Sequence, residues 1–162
     1  MSATPILPSF KPQCLEDIDE IQADWGTLEK LKVELQQTNK PYTLAANIIN
    51  AYKRDGFITS KEGIRSYEAF FFINSVTDIA AILKHCNLSN DEVRIICADN
   101  DDNREKLIGY DISNSRSPNK MFNFITSKSF EGADYYSETG LCFVVSTQSN
   151  PHTLASIDCD IP

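Results

Sequence analysis

At 162 residues, 41% hydrophobic and 23% charged, the chain has the size and composition of one folded domain with an appended arm, which excludes wholesale disorder and collagen-like or mucin-like repeats. With 15 Lys and Arg against 23 Asp and Glu, the net charge is −8, so long-range electrostatics repel nucleic acid and anionic membrane. No apolar run approaches the roughly 20 residues of a membrane helix, and no basic start leads into an apolar stretch, so neither a membrane partner nor a secretory signal is expected.

The first forty residues differ from the rest. Pro5, Pro8 and Pro12 forbid a continuous helix or a central strand, and Glu16, Asp17, Asp19 and Glu20 cluster acidic charge. Residues 1–40 therefore read as an extended Pro-rich arm, and 41–162 as the folded domain. Near the end of the arm, Leu31, Val33 and Leu35 alternate with polar residues and predict a half-buried strand. Pro41 opens a helix, because a proline in the first turn gives up a donor that has no intrahelical acceptor. Leu44, Ala45, Ile48, Ile49 and Tyr52 then share one face, and Gly56 is the expected stop.

A regular alternation comes next. Ala69 to Ile73 is a short apolar run whose length and aromatic content predict a buried strand. Ser75 is placed to cap a helix carrying Val76, Ile79, Ala80, Leu83 and Cys86 at helical spacing, with Asp78 in its first turn. Val93 to Cys97 reads as the next strand, the acidic Asp99–Asn103 as a turn that ends it and caps the next helix, and Arg104 to Ile108 as that short helix. Asn114 to Asn119 reads as a loop; Phe122 to Ile125 and Leu141 to Val145 complete the strands. Strands alternating with helices predict an α/β fold with a mainly parallel sheet covered on both faces.

The chemistry the chain lacks narrows its function. Its six glycines form neither a dinucleotide fingerprint nor a phosphate-cradling loop, and neither a nucleophile elbow nor a paired-histidine zinc motif is present. Asp99 to Asn103 opens like a calcium loop, but Arg104 stands where glycine is needed and Tyr110 where the closing glutamate belongs. The cysteines Cys14, Cys86, Cys97, Cys142 and Cys159 are odd in number and form no Cys-x-x-Cys pair, so no disulfide framework or zinc site is expected. Cys86, Cys97 and Cys142 lie among apolar residues and are expected to pack as small hydrophobes in a reducing, cytoplasmic setting. Neither His85 nor His152 has ligand-spaced partners, and no metal is expected.

Three segments carry a resemblance. Ser2-Ala3-Thr4 stands at the start, Phe72-Ile73-Asn74-Ser75 at the end of a strand, and Thr126 to Asp134 after another, with Gly132 and Asp134 at fixed places. In this order they resemble motifs III, IV and V of superfamily 2 (DEAD/DEAH-like) helicases. The resemblance implies a three-layer RecA-like α/β domain, the second of the two in such a motor, preceded by an inter-domain arm. It implies that Asn74, Ser75, Thr126, Ser127 and Ser129 contact the nucleic-acid backbone. Gly132 would allow close backbone approach, Asp134 would face the ribose or the domain cleft, and Ser2 and Thr4 would couple nucleotide state to domain closure.

Departures from the pattern limit what this chain does by itself. The phosphate-binding loop and the acidic Mg²⁺ ligands would precede motif III, and the paired arginines of motif VI would follow Asp160. The expectation is a partial helicase, truncated before motif VI: either the second domain alone of a longer protein, or a truncated reading frame from a mobile element or phage. It would hold no cofactor alone, whereas the full-length protein would use ATP and Mg²⁺. Expected partners are DNA or RNA, bound weakly, the missing first RecA-like domain, and a second copy through exposed cleft surface. The alternative is a non-catalytic α/β protein-interaction module; a thiol enzyme using Cys97 or Cys142 is a weaker third reading. The purified 162-residue chain should release no phosphate from ATP above background in a coupled assay, and measurable turnover would overturn this.

Overall fold

The computed structural model describes residues 33–129, 133 and 135–147. The chain forms two units; one, Asn39–Ala155, holds every element below, and of the other only residues 33–38 are among those described. Residues 33–38 form no strand, and Val33 and Leu35 are 82% and 93% exposed. This corrects the strand expected at Leu31–Leu35, of which Leu31 lies outside the described residues. Alternation shows that a segment has two faces, but a strand also needs a neighbour for its backbone groups.

Helix α1 spans Pro41–Asp55 and ends where glycine permits a left-handed residue: Gly56 has φ +77° and donates its N–H to the Tyr52 carbonyl at 2.7 Å. A small antiparallel hairpin comes after it, β1 (Ile58–Thr59) and β2 (Arg65–Ser66), which the sequence reading missed. Strand β3 (Ala69–Phe72) leads into α2 (Val76–His85), β4 (Val93–Ile96), α3 (Asp101–Lys106), β5 (Phe122–Ile125) and β6 (Leu141–Val144). Helix α3 starts earlier than Arg104 because Asn100 caps it, its side chain accepting from the Asn103 N–H at 2.9 Å, with Asp101 and Asp102 favouring the first turn.

The main sheet has the order β4-β5-β3-β6, and all three pairings are parallel. Ile112 makes a single parallel bridge to Ile95 outside β4. The fold is thus α/β with a four-stranded parallel sheet flanked by helices, the class expected. Period-2 alternation divides the strand residues between two faces. Phe71, Phe122, Phe124, Val93 and Ile95 join Ala45, Ile49 and Tyr52 of α1 and Ile79, Ile82 and Leu83 of α2 in the larger core. Phe70, Ile96 and Ile125 form a second cluster, with Phe72 and Tyr135 packed against it.

Phe71 is the centre of the larger core. Its ring stacks on Phe124 of one neighbouring strand at 5.4 Å and on Phe143 of the other at 5.1 Å. Gly140 opens the way into β6 because nothing larger fits: a Cβ there would lie 2.6 Å from Cε2 of Phe70. In β6 half-buried and exposed residues alternate, as suits a sheet edge, so Cys142 is exposed. That corrects the expectation that it packs as a buried hydrophobe, whereas Cys86 and Cys97 are buried.

Phe71→Ala removes a fully buried ring from between two others and should cost about 3–5 kcal/mol. Ile108→Ala, at a side chain 79% exposed, should change stability by no more than about 0.5 kcal/mol. Urea unfolding of both variants, followed by circular dichroism, checks the contrast.

Candidate functional site

Parallel pairing brings the C-terminal ends of β3, β4 and β5 to one edge of the sheet. Phe72 lies opposite Ile125, and Ile96 opposite Ile125 from the other side. The ladder continues one step further, with the Ile73 N–H donating to the Ile125 carbonyl and the Thr126 N–H to the Ile96 carbonyl, each at 3.0 Å. Beyond it, β3 runs through Asn74 and Ser75 into α2, and β5 runs through Thr126 into a 3₁₀ turn, Ser127–Ser129. The two exits touch: the Asn74 side-chain oxygen accepts from the Ser127 hydroxyl at 2.6 Å and from the Ser127 N–H at 3.4 Å.

The site residues expected from the sequence separate by what their side chains do. Ser75 is extended and its hydroxyl oxygen accepts from the Asp78 N–H at 3.3 Å, which makes it the cap of α2. Helix starts of this kind present backbone N–H groups that lack intrahelical acceptors. Thr126 is 6% exposed and its hydroxyl donates inward to the Ile96 carbonyl at 3.3 Å, so its oxygen serves the sheet and not the surface. Ser127 is exposed and Ser129 half-buried. The remaining four, Ser2, Thr4, Gly132 and Asp134, lie outside the described residues.

Lys128, between the two serines, was assigned no role from the sequence, although it stands inside the motif V-like segment. It is exposed on the turn, close enough to Asp99 at the end of the neighbouring strand to help hold that carboxyl below its ordinary range. The larger cause of that lowering is Arg104, whose guanidinium donates to both Asp99 oxygens, at 2.7 and 3.0 Å. A positive position in a turn of hydroxyl residues was the available signal. Among the described residues the edge therefore offers hydroxyls, helix-start amides and one lysine, with Asp99 near that lysine and Asp101 and Asp102 at the start of α3, carboxylates that oppose a polyanion. This set suits hydrogen bonding to phosphate oxygens.

Among the described residues, nothing at this edge resembles an activated nucleophile. Cys97, the next residue beyond β4, is buried, and desolvation raises its thiol above the ordinary value; the negative Asp99 adds to the rise and Lys128 opposes it. A thiol so placed is mostly protonated at neutral pH. Among the described residues, no group of three or more His, Cys, Asp or Glu side chains is arranged to hold a metal ion, and no helix is long and apolar enough to cross a membrane. Comparison with protein-family models, with curated proteins and with solved structures gives no match for this chain.

Cys97 should react with iodoacetamide at pH 7.5 at least about tenfold more slowly in the folded protein than in the urea-unfolded chain. Peptide mass mapping over time measures both rates. Equal rates would mean that the folded thiol is as accessible as the unfolded one and not raised above its ordinary value, which would overturn this reading.

Proposed function

We propose that this chain is the second RecA-like domain of a helicase-type motor, which grips a nucleic-acid backbone at the C-terminal edge of its sheet. In this reading it completes an ATP cleft with a first RecA-like domain carried elsewhere, and Ser2, Thr4, Gly132 and Asp134 serve that cleft. The observation that carries the reading is the pair of hydrogen bonds from Ser127 to Asn74. Two segments 53 residues apart, resembling motifs IV and V, meet at one edge, as a shared backbone track requires. Ser127, Lys128, Ser129 and the start of α2 would meet phosphate oxygens, while Thr126 anchors the turn from inside. The acidic surroundings and the net charge of −8 limit this one domain to weak binding.

Fluorescence anisotropy with labelled single-stranded DNA and RNA tests the reading. Dissociation constants of about 10⁻⁴ to 10⁻⁶ M are expected at moderate salt, weakening steeply as salt rises. Lys128→Ala should weaken binding and lower the slope of log K against log salt by about 0.7, the loss of one phosphate contact to a single strand. No salt-dependent binding to either polymer, or a Lys128→Ala slope equal to the wild type, would refute the assignment.

A further inference from the structure

The turn that carries Ser127, Lys128 and Ser129 is too short to hold itself. A 3₁₀ segment of three residues has few internal hydrogen bonds and poor geometry; here the Ser129 N–H donates to the Thr126 carbonyl at 3.0 Å. Its order depends on what is tied to each end. At the first end stands Asn74, bonded to the Ser127 hydroxyl and N–H. At the other end the Tyr135 hydroxyl donates to the Ser129 carbonyl at 3.1 Å.

Tyr135 is itself held from several sides. Its ring packs against the sheet face that carries Phe70 and Phe72, with centroids 6.4 Å and 6.2 Å away, the second contact edge-on at 81°. The Arg94 guanidinium lies over the ring, 5.6 Å from its centroid. Arg94 is 2% exposed, and donates to the Asn119 side-chain oxygen and to the Ser115 carbonyl, the latter at 2.9 Å. Asn119 in turn donates to the carbonyl of Tyr136, the next residue, at 2.8 Å. Ring packing, a fixed cation and a neighbouring backbone bond thus define where the phenol points. Desolvation raises the phenol above its ordinary value, against smaller opposing effects of the Ser129 hydrogen bond and the Arg94 charge. The O–H is therefore intact, and able to donate, throughout the neutral range.

We infer that Tyr135 is a positioning residue for the Ser127–Ser129 turn: through its hydroxyl, the cluster on one sheet face sets the geometry in which Ser127 and Lys128 are presented at the sheet edge. Its consequence for polymer binding rests on the function proposed above. The positioning itself does not, since it concerns only this chain's own residues. Tyr135 acts through the turn and touches no phosphate itself.

The test compares the 162-residue wild type with Tyr135→Phe, which keeps the ring and deletes only the hydroxyl, and with Tyr135→Leu, which deletes both. In the wild type, ¹⁵N order parameters at Ser127, Lys128 and Ser129 should be near the rigid value of about 0.85, and in Tyr135→Phe they should fall toward about 0.6. The values within β5 should stay unchanged. Polymer binding should weaken roughly fivefold, the effect of one hydrogen bond, at an unchanged salt slope because no phosphate contact is removed. A ring that served packing alone would leave Tyr135→Phe identical to the wild type at all three residues, with only Tyr135→Leu altered or unfolded; that outcome overturns the inference. Loosening of the turn with unweakened polymer binding would overturn its functional part. If the wild type binds no polymer, the proposed function fails, and the order parameters still decide the role of Tyr135.

Discussion

In-register parallel pairing is the constraint on which the rest of this structure depends. Phe71 lies opposite Phe124 in β5 and opposite Phe143 in β6, so three aromatic rings line up across neighbouring strands. A slip of one residue would turn each of these rings to the other face and empty the core. A slip of two would keep the faces but move a strand end by about 6.6 Å along its axis. The Asn74 side chain would then lie beyond hydrogen-bond reach of Ser127. The register that fills the core is therefore the register that assembles the edge, and core packing and site geometry are specified together.

The charge distribution obeys a different logic. The protein is acidic as a whole, yet the most buried cation among the described residues, Arg94, meets neutral acceptors, a side-chain amide oxygen and a backbone carbonyl, together with an aromatic ring. Desolvation lowers the Arg94 guanidinium from its ordinary value, with Tyr135 and Glu68 opposing, but an arginine stays charged over the whole working range. Its planar fork reaches two acceptors on a loop while the same plane covers a ring, which a lysine ammonium would not do. At the opposite end of the strands, Lys128 stands near Asp99, and the carboxylates there are themselves engaged. Arg104 holds Asp99 and Lys106 holds Asp102, at 2.7 and 2.6 Å, which reduces the repulsion that an approaching anion would meet.

How much of this was legible in the sequence depends on how each element announces itself. Helix α1 has a proline at its start, a glycine past its end and an apolar stripe between them, and it was read almost to the residue. The four strands of the main sheet are short apolar runs and were read within a residue of their ends. The β1–β2 hairpin escaped because two-residue strands leave no alternation to detect. The start of α3 was misplaced because its first turn holds Asp101 and Asp102 and no apolar stripe. Val33 and Leu35 show the opposite error, an alternation in a segment that forms no strand and leaves both side chains exposed. Cys142 was misjudged because its apolar neighbours in sequence said nothing about β6 being at an edge.

The candidate site shows the same boundary more sharply. Ser75 as a helix cap is a local property and was legible. Contact between Asn74 and Ser127 was not, since it depends on β3 and β5 being neighbours, and strand order is a property of the whole sheet. In one dimension Thr126, Ser127 and Ser129 are three equivalent hydroxyls. The ladder separates them: Thr126 is still inside it, giving both its N–H and its hydroxyl to the Ile96 carbonyl, while Ser127 is the first residue outside. The boundary between structural and outward-facing hydroxyls thus falls where strand pairing stops. Beyond that point the turn keeps a backbone bond of its own, from the Ser129 N–H to the Thr126 carbonyl, and the Asn74 and Tyr135 side chains come from opposite sides of it in sequence to hold it. A surface formed in this way takes its precision from half-buried residues outside the turn, so its properties are set as much by the sheet beneath as by the groups on display.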